Sequence, residues 1–148
     1  MKPIVRHARR GDLDALVTLL EQLFAMEVDF QFDAPTQRQG LLLLLQTPNA
    51  CLLVIEDQYQ VVGMCSLQSI VSSSEGGAVG IVEDVVIAQS HRDQGLGHLL
   101  LQALEQEAKA QGLSQLRLVV DQNNGATLAF FQRMGWMGTE LVAMMKQL

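Results

Sequence analysis

The segment Arg92-Asp93-Gln94-Gly95-Leu96-Gly97-His98 has the composition of a turn that could hold a diphosphate. Glycines at 95 and 97 remove side chains where backbone N–H groups must come close to a ligand. An apolar pattern starting at Leu96 opens a helix, whose first N–H groups lack intrahelical partners and carry the positive end of the peptide dipoles. A nucleotide P-loop would need Gly-Lys-Ser/Thr, and a dinucleotide turn would need a third small residue at position 100, where the chain has Leu100. A glycine-containing strand-to-helix turn without a ligand is the plainer alternative, and the flanking segments weigh against it. Just upstream, Glu83 and Asp84 interrupt an otherwise apolar run from Val79 to Ile87, placing two carboxylates on a strand that leads into the turn.

The elements that must position these residues follow from periodicity and punctuation. Lys2–Ala8 reads as an edge strand, and Gly11 and Asp12 as a turn and helix cap ahead of a helix over residues 12–26. Glu27–Pro35 reads as a loop, and a second helix runs from Gln37 to Gln46. Cys51–Ile55 and Gln60–Ile70 form a hairpin, Ser72–Gly77 a flexible loop, and Val79–Ile87 a central strand. Leu96, Leu99, Leu100, Ala103, Leu104 and Ala108 mark a long amphipathic helix closed by Gly112. Leu116–Val120 reads as a strand, Gly125–Met134 as a helix and Met137–Met145 as a last strand. This order implies an α/β fold, a mixed sheet with helices on both faces. A strand, helix, strand unit from Val79 to Val120 holds the turn.

With those elements in place, the chain resembles the GNAT N-acetyltransferases. The family signature of Gln or Arg, two residues, Gly, one residue, then Gly or Ala is matched by Arg92, Gly95 and Gly97. Val82-Glu83-Asp84-Val85-Val86-Ile87 is similar to the family's fourth strand, and Asn124, Phe130, Phe131, Gly135 and Trp136 to its later pattern. The resemblance implies one domain over residues 1–148, with a mostly antiparallel central sheet and a splayed parallel pair. It implies acetyl-CoA as cosubstrate, with the backbone of Val85, Val86 and Ile87 pairing with the pantetheine arm. The N–H groups of Asp93, Gln94, Gly95, Leu96, Gly97 and His98 would hold the pyrophosphate next to Arg92, and Asn124 would contact the cofactor arm.

Transfer of an acyl group to an amine needs a base, an oxyanion donor and a departing thiolate. A free alkyl amine has a pKa of about 10.4, so a base is useful near neutral pH. Glu83 and Asp84 are the candidates; neighbours on a strand face opposite ways, so only one can point at substrate, and the sequence leaves open which. Asp121 is a third contender, and the backbone N–H near Val86 the expected oxyanion donor. Phe131 stands where the family often has a Tyr that protonates the sulfur. A thiol of pKa about 8.5 leaves as thiolate at pH 7 for roughly 2 kcal/mol, so this departure slows the reaction without forbidding it. It also motivates the alternative of a CoA-binding regulatory or inactive member. By the same resemblance, Glu27–Pro35 and Ser72–Gly77 would bind the acceptor, a small-molecule or peptide amine.

Composition narrows the remaining classes. With 148 residues, 49% hydrophobic and 18% charged, the chain can bury a core without staples. A net charge of −6 and no Lys/Arg cluster exclude a nucleic-acid footprint. No apolar run is long enough to span a bilayer, and Cys51 and Cys65 in apolar runs suit buried thiols, so a cytoplasmic protein without a membrane partner is expected. His7, His91 and His98 are too scattered for a metal site, and no metal is expected. An exposed edge at the last strand would let a second copy pair as a homodimer.

Overall fold

Apolar residues on both faces make Cys51–Asp57 (β2) a strand that has to be covered from both sides, and the helices do so. It lies between Ile4–His7 (β1) and Gln60–Ser72 (β3), both antiparallel to it. Gly77–Ile87 (β4) continues the meander, and Leu116–Arg117 (β5) pairs parallel with β4, giving the strand order β1-β2-β3-β4-β5. The computed structural model describes residues 1–148, which divide into two compact units, Met1–Arg117 and Leu118–Leu148.

In the first unit, helices Leu13–Phe24 (α1) and Ala34–Gln46 (α2) pack on one face of the sheet. Leu13, Leu16, Leu19, Leu20 and Leu41 form a core there with Leu52, Val54, Met64 and Val86. Strand alternation turns Leu53, Ile55, Cys65 and Leu67 to the opposite face, where Leu96–Ala110 (α3) buries Leu96, Leu100, Leu101, Leu104 and Ala108. Gly80 lets the layers close: an added Cβ would stand 2.6 Å from Leu67 Cδ1 and 2.7 Å from Leu116 Cδ2.

Several boundaries differ from the sequence expectation. Asp12 does not cap α1; Arg10–Asp12 forms a 3-10 turn, and the Asp12 carboxylate takes two hydrogen bonds from Arg6 (2.9 and 3.0 Å) and one from its own turn at Arg9 N. Arg6 also reaches Glu56, so one guanidinium ties β1, β2 and the turn together. It holds the Asp12 carboxyl below the usual carboxylate range. The second helix starts at Ala34 rather than Gln37, because Asp33 accepts from Thr36 N and Gln37 Oε1 accepts from Asp33 N, a reciprocal cap. β5 is two residues long, not Leu116–Val120.

In the second unit, Gly125–Arg133 (α4) forms as the periodicity predicts, but Met137–Met145 is not a strand. Met137, Leu141, Val142, Met144 and Met145 are all exposed, so β propensity alone, without a ladder partner for the segment, does not make it one.

Candidate active site

The two carboxylates sit at a break in β4. The β3–β4 ladder pairs Ser66 with Glu83 but Met64 with Val86, so Cys65 faces two residues, Asp84 and Val85. Asp84 has φ 55°, and the extra residue makes this a β-bulge. The bulge replaces strict alternation: Glu83 is exposed, while Asp84 and Val85 are half-buried. Ser66 Oγ donates to the Glu83 carbonyl at 3.1 Å. Burial pushes the Asp84 carboxyl up to about 6, helped by the like charges of Glu83 and Glu27. The loop after α1 therefore comes close enough for the charge of Glu27 to act on Asp84. Ser72–Gly77 does not: it closes the β3–β4 hairpin six residues from Ser66, roughly 20 Å along the strand.

Pairing of β4 with β5 stops at Ile81 and Arg117, so no strand adjoins that side of β4 from Val82 to Ile87. Ala88 N donates to Val62 O at 2.7 Å, and N–H directions alternate along a strand. The N–H of Val86 consequently points to β3, and that of Ile87 points to the open side. The Ile87 carbonyl on that side accepts Arg92 Nε at 3.0 Å. Arg92 Nη1 also lies 3.6 Å from Met26 Sδ, so this side chain fastens the turn to β4 and the end of α1.

Asp93 (φ 61°) and Gly95 (φ 79°) are both left-handed, which folds the backbone of 92–95 back onto the start of α3. Gly95 is the N-cap of α3, and no side chain caps the helix there. A Cβ on Gly95 would meet nothing within 4 Å, so glycine is favoured there by its φ rather than by packing. His91 is 3.4 Å from Asp57 Oδ2 and so links the segment before the turn to the β2–β3 hairpin.

Asn124 belongs to the second unit, where its Oδ1 accepts from Thr127 N at 3.2 Å and caps α4. Phe131 is buried there, edge-on to Phe130 (5.3 Å) and Trp136 (5.8 Å), a packing role in place of an acid. Tyr59 is 81% exposed in the β2–β3 turn and no substitute for it. Both cysteines are buried and unbridged, and burial, with the charge of Glu107, pushes the Cys51 thiol up to about 12. Sequence reading missed one cluster: His7 lies against Cys51 and Glu107. Those residues are 44 and 100 positions away, so no local spacing could have signalled it.

No helix is long and apolar enough to cross a membrane. Residues 15–136 match the model of the Acetyltransferase (GNAT) family. The chain is 27% identical over 132 residues to an aminoalkylphosphonate N-acetyltransferase of Salmonella typhimurium, covering 89% of this chain and 83% of that one. Its fold is similar to a possible acetyltransferase from Clostridium difficile, with TM-score 0.86, 17% identity and coverage of 100% and 99%. It is also similar to glucosamine-6-phosphate N-acetyltransferase from Arabidopsis thaliana, with TM-score 0.77, 20% identity and 99% of each chain covered. A bulged strand with an open side, running into a left-handed turn at a helix start, within a family match over most of the chain, settles the class: the chain belongs to the GNAT family of N-acetyltransferases.

Proposed function

We propose that the chain transfers an acetyl group from acetyl-CoA to a primary amine of a small molecule or peptide, by direct attack of the amine on the thioester, and that residues 1–148 act as one GNAT domain. The observation that carries this reading is the half-buried Asp84 at the bulge, beside a strand side with unpaired N–H directions and upstream of the 92–98 turn. The pantetheine arm docks along Val85–Ile87 as an added strand would, through backbone groups on the open side such as the Ile87 N–H. Backbone N–H groups from Asp93 to His98, at the positive end of α3, take the pyrophosphate. Arg92 supports that turn from behind. The part of Asn124 in holding the cofactor rests on the family resemblance.

Of the two carboxylates, Asp84 is the better base, because a pKa of about 6 leaves it ionised at neutral pH yet basic enough to draw a proton, directly or through water. The amine nitrogen bonds to the acyl carbon, its proton passes to Asp84, and the carbon–sulfur bond breaks with the electron pair leaving on sulfur. Because the Val86 N–H points to β3, a backbone N–H at the bulge takes its place as donor to the oxyanion. With Phe131 packed among aromatic rings, solvent supplies the proton to the thiolate.

The acceptor side carries Glu27, with Phe30 stacked on Phe24 at 5.4 Å, which suits a cationic amine bearing apolar bulk. Thermal unfolding with acetyl-CoA, ATP or NAD, comparing wild type with Gly97→Glu, tests the cofactor site. A midpoint shift of several degrees with acetyl-CoA alone, lost in the variant, is the expected result; no shift at millimolar acetyl-CoA overturns the reading. Thiol release across polyamines, amino sugars, peptides and aminoalkylphosphonates then identifies the acceptor. Acetyl-CoA binding without turnover on any amine would instead make the chain a CoA-binding regulatory member, the reading that buried Phe131 favours.

A further inference from the structure

Away from the acyl-transfer site, the fold brings together three metal-ligating side chains that are far apart in the chain. His7 ends β1, Cys51 begins β2 and Glu107 lies on α3. His7 Nε2 is 2.8 Å from Glu107 Oε1, and His7 Nδ1 is 3.9 Å from Cys51 Sγ. One donor atom from each residue lies within 4.8 Å of the other two.

We propose that His7, Cys51 and Glu107 bind a single zinc ion, with water in the fourth position. The donor set of one sulfur, one imidazole nitrogen and one carboxylate oxygen suits a borderline-soft divalent ion and not magnesium or calcium, which take oxygen. Zinc bonds of about 2.1 Å to nitrogen and oxygen and about 2.3 Å to sulfur place donors of a tetrahedral site roughly 3.3 to 3.6 Å apart. The nitrogen-to-sulfur separation is already close to that. The longest separation must shorten by about 1 Å, with one imidazole nitrogen exchanging its present neighbour for the ion. Cys51 is fixed in the sheet, but the side chains of His7 (64% exposed) and Glu107 (32% exposed) can make that movement without disturbing β2.

Access and charge agree with this assignment. His7 and Glu107 line a surface groove of about 270 Å³ together with Val5, Leu53 and Ala103. Arg6 also borders it, but its charge is matched by Asp12 and Glu56. On binding, the Cys51 thiol loses its proton to solvent and the sulfur lone pair bonds to the ion; no redox step is involved. The ion would clip edge strand β1 and its neighbour β2 to α3. Glu107 lies eleven residues past Leu96, roughly 16 Å along the helix, so the ion takes no part in the chemistry at the turn.

Cobalt(II), as a spectroscopic substitute for zinc, tests the site on chelator-treated full-length protein. The expected result is a thiolate-to-cobalt absorption band saturating at one ion per chain, bleached by added zinc and absent in Cys51→Ser. His7→Ala and Glu107→Gln should each weaken cobalt binding at least about tenfold. Zinc should raise the thermal midpoint of wild type and not of those variants. The side chains of His7 and Glu107 reach solvent, so these two variants carry the test even if Cys51→Ser fails to fold. No band at millimolar cobalt, or a band of unchanged affinity in His7→Ala, would show that the three residues form a hydrogen-bonded cluster only and would overturn the proposal.

Discussion

Asp84 is held near pH 6 mainly by burial, with Glu83 and Glu27 adding like charge, and two kinetic consequences follow. Asp84→Asn should lower kcat by about 10²- to 10³-fold while leaving the acetyl-CoA thermal shift intact, because the substitution removes a proton acceptor and not a cofactor contact. Activity should also fall as pH drops through about 6, where Asp84 takes up its proton. Glu83→Gln removes one of the charges that raises this pKa, so the acid limb of kcat/KM should move to lower pH. A limb that stays in place in that variant would show that another group sets it. The sequence put two adjacent carboxylates first, with Asp121 a third contender, and could not choose between the two, because that choice depends on a bulge. That bulge exists only through the register of β3 against β4, and no residue near Asp84 announces it.

At the scale of elements, strands and helices with their own hydrophobic period were legible, and those that depend on a neighbour were not. β2, β3, β4 and α3 carry their period within themselves. β5 and the segment Met137–Met145 have β-forming residues, but a strand also requires a partner edge, and the ladder ends at Arg117. The β2–β3 hairpin was legible from its two strand runs, although its turn lacks the usual Asn-Gly: Gln58 (φ 49°) and Tyr59 (φ 66°) are both left-handed, the geometry of a tight hairpin turn. Tyr59→Gly should therefore stabilise the protein by about 1 kcal/mol in urea titration, since an L side chain in that conformation costs about that much. Gly80→Ala should act the other way, by about 1 to 3 kcal/mol, because its methyl would press on Leu67, Leu116 and Leu113 in a closed layer. Equal midpoints for wild type and Gly80→Ala would mean that the sheet and α3 can separate locally at no cost.

Over the whole molecule, two carboxylates pull the pH dependence of stability in opposite directions. The folded pKa of Asp84 lies above its ordinary value of 3.8, so its contribution is fully present below that value and is lost as pH rises through about 6. Asp12 is lowered by its hydrogen bonds from Arg6, so its contribution is present above 3.8 and is lost as pH falls through its depressed folded pKa. Both contributions are largely in place together only at about pH 4, and the thermal midpoint should peak there, decline until just above pH 6 and stay low to pH 8. The decline attributable to Asp84 is at most about 3 kcal/mol, the energy of a shift of about two pH units. Asp84→Asn should flatten the alkaline side and unfold at a higher temperature than wild type at pH 8, even though it is the variant with the weakest catalysis. Asp12→Asn should lower the midpoint at pH 5 to 7 and remove the fall at acid pH, since Arg6 then keeps only Glu56. Calorimetric midpoints of the three proteins from pH 3 to 8 check this. A wild-type midpoint that is level from pH 4 to 8, or an Asp84→Asn variant no more stable than wild type at pH 8, would show that the carboxylate at the bulge is hydrated in the folded protein and that the proposed base is not held near neutrality by burial.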